Sequence, residues 1–193
     1  CGDFQSMQFA SIPASGREAK EVAALWRKGA QGAAEVESLT GAKASEAAFK
    51  AGAPGKRVLH LATHGFFLQG RCPSGFDAAE PEAGSAAPTR SATTTAAPEN
   101  PLRLSGVALA GANRRAAAGP DEEDGILTAE EIAALDLSGV EWAVLSACDT
   151  GAGEVKAGEG VLGLRRAFQV AGARTLVTSL WAVDDEAARE WMQ

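Results

Sequence analysis

Two residues of this sequence combine a reactive side chain with a position at which a strand is predicted to end. Cys148 follows the apolar run 142–145 and precedes a glycine-rich stretch, a pattern typical of a buried strand that leads into a loop. His64 follows a second predicted strand over 58–62, and Gly65 comes directly after it. A thiol and an imidazole on neighbouring strand ends can act as a nucleophile and its general base or acid. The pair therefore predicts nucleophilic catalysis.

A thiol needs activation to act as a nucleophile, because it is mostly protonated near neutral pH. His64 is one of two histidines in the sequence, and an imidazole at a strand end can raise the reactive thiolate fraction. Gly65 lacks a Cβ and leaves its backbone N–H open to a ligand oxygen. With the N–H of Cys148 it is predicted to form an oxyanion hole, where each donor is worth roughly 3 kcal/mol. His60, on the same face as His64, is interpreted as a hydrogen-bonded core residue.

The elements that must position this pair alternate between strand and helix. After a turn-like sequence over 13–16, residues 17–29 are predicted to form an amphipathic helix with Val22, Leu25 and Trp26 on its apolar face and Glu18 among the charged residues around it. The alternation predicts right-handed crossovers and an α/β fold with a mostly parallel sheet and helices on both faces. Further helices are predicted from about Ser45 through Phe49, over 127–135, over 161–171 and from Asp184 toward Trp191; further strands are predicted over 9–12, 34–39, 104–109, 140–147 and 174–180.

Several helix ends carry recognisable signals. Thr128 is followed three residues later by Glu131, the spacing of a capping box. Ser45 and Asp184 are predicted N-caps, and Gly172 is predicted to adopt the left-handed conformation that ends a helix. The N-cap signals mark where loops end and helices begin. In open α/β sheets, ligands bind in the loops at the carboxyl ends of the strands.

Composition limits the possible partners. The chain has 193 residues, 46% of them hydrophobic, and a net charge of −7, which favours one soluble domain and argues against a nucleic-acid or anionic-membrane surface. No apolar run reaches the roughly 20 residues of a membrane span, and no signal peptide is evident; a cytoplasmic location is expected. Three widely spaced cysteines predict neither a disulfide framework nor a zinc site. The start at Cys1 suggests a piece of a longer polypeptide.

Residues 69–101 differ in composition from the rest of the chain. They are rich in Ala, Pro, Ser, Thr and Glu and almost lack large apolar side chains, so they cannot bury a core face. We predict an inserted, exposed loop within one domain that spans residues 1–193.

Four ordered segments of the sequence resemble the CHAT domain, a caspase-like module often attached to tetratricopeptide repeats. The resemblance lies in His60-Leu61-Ala62-Thr63-His64-Gly65, Leu145-Ser146-Ala147-Cys148-Asp149-Thr150-Gly151, 158–164 and 179–185. It implies a three-layer α/β/α sandwich and a cysteine endopeptidase with His64 and Cys148 as its dyad, acting on protein or peptide substrates without a metal or organic cofactor. It also implies that the family fold continues beyond Gln193, so that the chain is a fragment truncated at its C-terminus.

The same resemblance suggests substrate-binding residues. The loop that resembles 181–185 carries, in separases, an acidic residue that faces a basic P1 side chain, which makes Asp184 or Asp185 a candidate for specificity. Trp181 in the same loop and Asp149, directly after the predicted nucleophile, complete the predicted substrate-binding set.

The spacing of the predicted dyad and the other motifs of the sequence limit the alternative functions. The caspase pattern has its histidine about 50 residues before the cysteine, whereas His64 and Cys148 are 84 residues apart, a difference that the predicted loop mostly explains; caspase-type specificity for aspartate is not expected. The glycines after Cys148 fit neither a dinucleotide nor a Walker motif, and Ser146 lies in no GxSxG elbow. The alternative that stays open is a catalytically silent scaffold or signalling module of the same fold that binds a peptide or protein partner.

Overall fold

A computed structural model describes residues 7–29, 35–68, 101–119, 122–149, 157–179 and 183–192. For residues 101, 147–149 and 157–162 the description is limited to the backbone. The predicted loop at 69–101 therefore lies, apart from its last residue, outside the described residues.

The described residues form a five-stranded sheet with the order β3-β2-β1-β4-β5 at the centre of the fold. β4 pairs in parallel with both β1 and β5, while β2 pairs antiparallel with both β1 and β3. Four strands therefore run in one direction and β2 runs against them, which confirms the predicted α/β class and its mostly parallel sheet. The strands are β1 (Val58–Phe67), β2 (Ser105–Ala108), β3 (Ile126–Thr128), β4 (Trp142–Asp149) and β5 (Thr175–Thr178).

Helices lie on both faces of this sheet. α1 packs on β1 and against α5, and α3 packs against α4. Leu61 and Leu145 share a buried cluster with Phe168 of α4, whereas the residues that alternate with them in β1 and β4 face α1. The result is the predicted three-layer arrangement. The helices are α1 (Pro13–Gly29), α2 (Glu46–Gly52), α3 (Ala129–Ala133), α4 (Ala157–Val170) and α5 (Asp185–Trp191).

The helix-end signals of the sequence are confirmed. Thr128 and Glu131 form a reciprocal capping box at α3, and the Ser45 side chain accepts a hydrogen bond from the N–H of Ala48 at α2. Asp184 caps α5. Gly172 has a φ of 107°, a conformation in which a Cβ is strained.

The prediction for the first helix was wrong in two respects. α1 begins at Pro13, because proline at the first helical position loses no hydrogen bond and has a preset φ. Its buried stripe contains Glu18, whereas Leu25 and Trp26 are exposed. Glu18 is four residues before Val22 and lies on the same side of the helix. Because glutamate is charged, the sequence pattern assigned Glu18 to the solvent side, although it faces the sheet.

Several predicted strand boundaries also differ from the structure. Residues 9–12 and 35–39 form no strand, since neither segment pairs with the sheet. β1 does not stop at Gly65 but continues to Phe67, because β2 pairs with residues 64–67. The start of the helix predicted over 127–135 is instead the end of β3, which is held by pairing with β2.

Candidate active site

His64 and Cys148 lie side by side in the sheet. The parallel ladder between β1 and β4 aligns His64 with Cys148 and Gly65 with Asp149. Neighbouring strands are about 4.8 Å apart, and aligned residues of parallel strands point to the same face. The backbone therefore brings the two predicted dyad residues together where β4 ends.

The imidazole of His64 is buried, with 5% of the residue exposed. Its Nε2 lies 2.7 Å from the carbonyl oxygen of Ala10, and the ring of Phe9 lies 5.6 Å from it between centroids. A carbonyl oxygen only accepts hydrogen bonds, so Nε2 is the donor, and in the neutral ring Nδ1 is then the acceptor nitrogen. Sequence reasoning missed this contact, because any residue can supply a backbone carbonyl.

Gly65 lies inside β1, between β2 and β4. It is aligned with Val107 on one side and with Asp149 on the other. The sequence predicted that Gly65 follows the end of its strand, whereas the structure places it within β1, which continues to Phe67. The role of its N–H as a donor to substrate stays a prediction.

A buried hydrogen-bond network links α1 to the two strands that carry the predicted dyad. Glu18 is 2% exposed; its Oε1 lies 2.7 Å from His60 Nε2, and its Oε2 accepts a hydrogen bond of 3.1 Å from Ser146 Oγ. One carboxyl group therefore joins β1 and β4. The interpretation of His60 as a hydrogen-bonded core residue is confirmed, but its partner was not predicted.

The two acidic residues of the predicted specificity loop both contact helix N-termini. Asp184 Oδ1 accepts hydrogen bonds from the N–H groups of Glu186 and Ala187. Asp185 Oδ2 accepts a 2.7 Å hydrogen bond from the N–H of Ala14, in the first turn of α1. Asp149 lies at the end of β4. Trp181 lies outside the described residues.

Charged side chains extend the contact between α1 and α5. Arg189 Nη1 lies 2.8 Å from an oxygen of Glu21, and Arg17 forms an ion pair with Glu186. α5 follows the predicted specificity loop directly, so this contact fixes one end of that loop to α1.

Three carboxylates outside the predicted site approach one another closely. Glu46, Glu123 and Glu131 each offer an oxygen within 4.8 Å of the others, the spacing of a possible metal site. The ammonium group of Lys50 lies 2.7 to 2.9 Å from all three side chains. It already supplies the positive charge that a cation would bring, so the cluster is an ion-pair network.

A cavity of about 690 Å³ borders β1 and reaches His64. Residues of α1 and α2 line it, together with Phe9 and Asn113. The size is within the range of ligand pockets, about 300–1,000 Å³. Its largest apolar lining side chains include Trp26, Phe49 and Leu61.

Among the described residues, no helix combines the length and the apolar character needed to cross a membrane.

The family comparison bears on the whole arrangement. The model of the CHAT domain matches residues 2–193, which include His64, Cys148 and the strands that align them. No curated protein and no solved structure matches the chain. Because the family match covers nearly the whole sequence, the chain belongs to the CHAT domain family, within the caspase-like peptidase superfamily.

Proposed function

We propose that this domain is a cysteine endopeptidase that cleaves protein substrates through a dyad of Cys148 and His64. The observation that carries the proposal is the register of β1 and β4, which aligns these two residues on one face of the sheet. Membership of a caspase-like family supports the same chemistry. A nucleophile and a base on adjacent strands can act together when their side chains come within hydrogen-bond distance.

The proposed reaction begins with attack of the Cys148 thiolate on the carbonyl carbon of the scissile peptide bond. The C–N bond breaks as the tetrahedral intermediate collapses, and the imidazolium of His64 gives its proton to the departing amine. Neutral His64 then removes a proton from water, which attacks the thioester. The C–S bond breaks, a carboxylic acid leaves and the thiol is restored. The N–H groups of Gly65 and Cys148 stabilise the oxyanion in both halves.

The contact between His64 and Ala10 supports this assignment. A hydrogen bond from Nε2 to the carbonyl oxygen fixes the ring and selects the tautomer in which Nδ1 can accept the thiol proton. It also stabilises the imidazolium that forms when the thiol ionises, because a carbonyl dipole favours the charged donor. The carbonyl thus takes the orienting role that a carboxylate has in a serine protease triad.

For specificity, we propose that the negative charge around Asp184 and Asp185 favours substrates with Arg or Lys at P1, with Trp181 and Asp149 as further contacts. Both carboxylates accept backbone hydrogen bonds, yet an ionised carboxylate can hold several donors at once. We further propose action in the cytoplasm, where thiols stay reduced, in a protein that joins this domain to tetratricopeptide repeats.

Labelling of the full-length protein with peptide electrophiles that differ at P1 tests nucleophile and specificity together. The proposal expects covalent modification at Cys148, fastest with Arg or Lys at P1, and hydrolysis of the matching peptide substrates. Modification of Cys72 or Cys1 instead would overturn the assignment of the nucleophile. Tight peptide binding without hydrolysis of any substrate would favour the silent scaffold.

A further inference from the structure

The carbonyl that holds His64 belongs to a segment without regular secondary structure. Residues 7–12 precede α1 and take part in no strand, so no sheet ladder fixes the direction of the Ala10 carbonyl. A hydrogen bond as short as the 2.7 Å contact to His64 Nε2 nevertheless requires this peptide group to be held in place. The restraint must come from side chains that bind the segment.

Asn113 provides such a restraint. Its Oδ1 accepts a 2.8 Å hydrogen bond from the N–H of Phe9, and its Nδ2 donates a 2.8 Å hydrogen bond to the carbonyl oxygen of the same residue. One amide side chain thus reproduces the paired hydrogen bonds that a neighbouring strand would make with Phe9. The next residue in the chain is Ala10, so the clamp lies directly beside the carbonyl that contacts His64.

The surroundings of the clamp restrain the segment further. Arg115, two residues after Asn113 in a short helical turn, donates to the carbonyl oxygen of Met7. The side chains of Met7 and Phe9 pack on a small buried cluster that includes Phe66 and Ile126. Packing sets the position of the segment, and the amide of Asn113 sets the orientation of its backbone.

We propose that Asn113 is a positioning residue for His64, acting through the backbone of Phe9 and the carbonyl oxygen of Ala10. This inference rests on the proposed function. Without the clamp, the Ala10 carbonyl turns away from Nε2 and the imidazolium loses a stabilising partner. The equilibrium between the neutral pair and the thiolate–imidazolium pair then shifts toward the neutral form, and fewer molecules carry a reactive thiolate.

The test compares three variants of the full-length protein. N113A removes both hydrogen bonds to Phe9, whereas N113Q keeps the amide but places it one methylene further out. R114A is the matched control, because Arg114 is the next residue in the same turn and its side chain is exposed. Glu18, His60 and Arg115 stay unchanged in all three. The measurements are the rate of Cys148 alkylation by iodoacetamide as a function of pH, and kcat and KM for a peptide substrate.

We expect N113A to lower the alkylation rate at neutral pH about tenfold, which corresponds to a rise of about one unit in the apparent pKa of the thiol. kcat should fall by a similar factor with KM little changed. N113Q should recover part of the loss, and R114A should match the wild type. A folded N113A with the wild-type pH midpoint and kcat would overturn the proposal, and N113Q at wild-type values would do so if N113A failed to fold.

H64A separates this inference from the proposed function. If H64A leaves the pH profile of alkylation and the cleavage rate unchanged, the dyad itself is wrong. If H64A changes both and N113A changes neither, the dyad stands and only the role of Asn113 is overturned.

Discussion

His64 lies directly opposite Cys148 in the ladder that joins β1 to β4. Two residues that are 84 positions apart in the sequence therefore become neighbours through a single strand pairing. A shift of this register by one residue would turn one of the two side chains to the other face of the sheet. The proposed chemistry thus depends on the packing that holds β1 against β4.

Substitution of either dyad residue tests the chemistry directly. Cys148→Ala and His64→Ala should each lower the rate of peptide cleavage by about 10³-fold or more, because each removes a group that takes part in every turnover. Circular dichroism and thermal unfolding of the variants check that the fold is kept. Cys72→Ala removes another thiol of the chain and serves as the control. Proteolysis that persists in either dyad variant would contradict the assignment.

Asparagine at position 185 separates charge from hydrogen bonding. Asp185→Asn keeps an acceptor for the N–H of Ala14 but loses the negative charge, so stability should change by no more than about 1 kcal/mol. Cleavage after Arg and Lys should weaken relative to cleavage after uncharged residues. Asp184→Asn is the companion variant, since asparagine is about as good an N-cap as aspartate. An unchanged P1 profile in both variants would reject a role for this acidic pair in specificity.

Much of the fold follows from short-range patterns, whereas most of the site's supporting contacts do not. The capping box of Thr128 and Glu131 spans three residues and is written in the sequence. The contact of Glu18 with Ser146 spans 128 residues, and that of Asn113 with Phe9 spans 104. No periodicity encodes such pairs, because they exist only once the strands and helices have packed.

The same distinction explains the misread start of α1. Pro-Ala-Ser-Gly has the composition of a turn, and the local sequence alone favours one. In the folded chain, the N–H of Ala14 meets the carboxylate of Asp185. That contact satisfies one of the donors that a helix leaves unpaired at its N-terminus, and it is contributed by a residue 171 positions away.

The buried carboxyl group of Glu18 is expected to contribute strongly to stability. Glu18→Ala leaves His60 and Ser146 without their shared partner and should lower the free energy of unfolding by about 3 kcal/mol or more. Ser146→Ala removes one hydrogen bond and should cost about 1 kcal/mol. Glu18→Gln, which keeps the shape and can still bond both partners, should lie between the wild type and Glu18→Ala. Chemical denaturation measures all three, and a Glu18→Ala variant within 1 kcal/mol of the wild type would contradict the expectation.

The network around Lys50 predicts a pH dependence of stability. Burial raises the pKa of Glu46 from 4.5 to about 7, and the hydrogen bond from Lys50 acts in the opposite direction. The folded state therefore binds this proton more tightly than the unfolded state does. Its contribution to stability is complete below pH 4.5 and is lost as the pH rises through about 7. Burial acts to raise the pKa of Glu131, but its hydrogen bonds with Thr128 and Lys50 together outweigh burial and lower the pKa. The contribution of Glu131 to stability therefore changes only at lower pH.

Glu46→Gln isolates this effect. Glutamine can still accept the hydrogen bond from the N–H of Gly125 but does not titrate. The free energy of unfolding of the wild type, measured relative to Glu46→Gln, should fall by on the order of 1–3 kcal/mol between pH 4.5 and pH 7. Glu123→Gln, at a more exposed position of the same network, is the comparison variant; the hydrogen bond with Glu123 also raises the pKa of Glu46, but less than burial does, so this variant should keep most of the slope. A difference between wild type and Glu46→Gln that stays constant over this range would contradict the prediction.

The antiparallel pairing of β1 and β2 has a consequence for the segment that connects them. Phe67 is aligned with Ser105, and the N–H of Leu68 donates a 2.6 Å hydrogen bond to the carbonyl oxygen of Leu104. The chain thus leaves the sheet after β1 and re-enters it at β2 at adjacent points, which these contacts hold together. The entropic cost of bringing the two ends of a loop together rises by only about 0.6 kcal/mol for each doubling of the loop's length. The site between β1 and β2 is therefore a natural insertion point, at which segments of very different length can be exchanged while His64 and Cys148 keep their alignment.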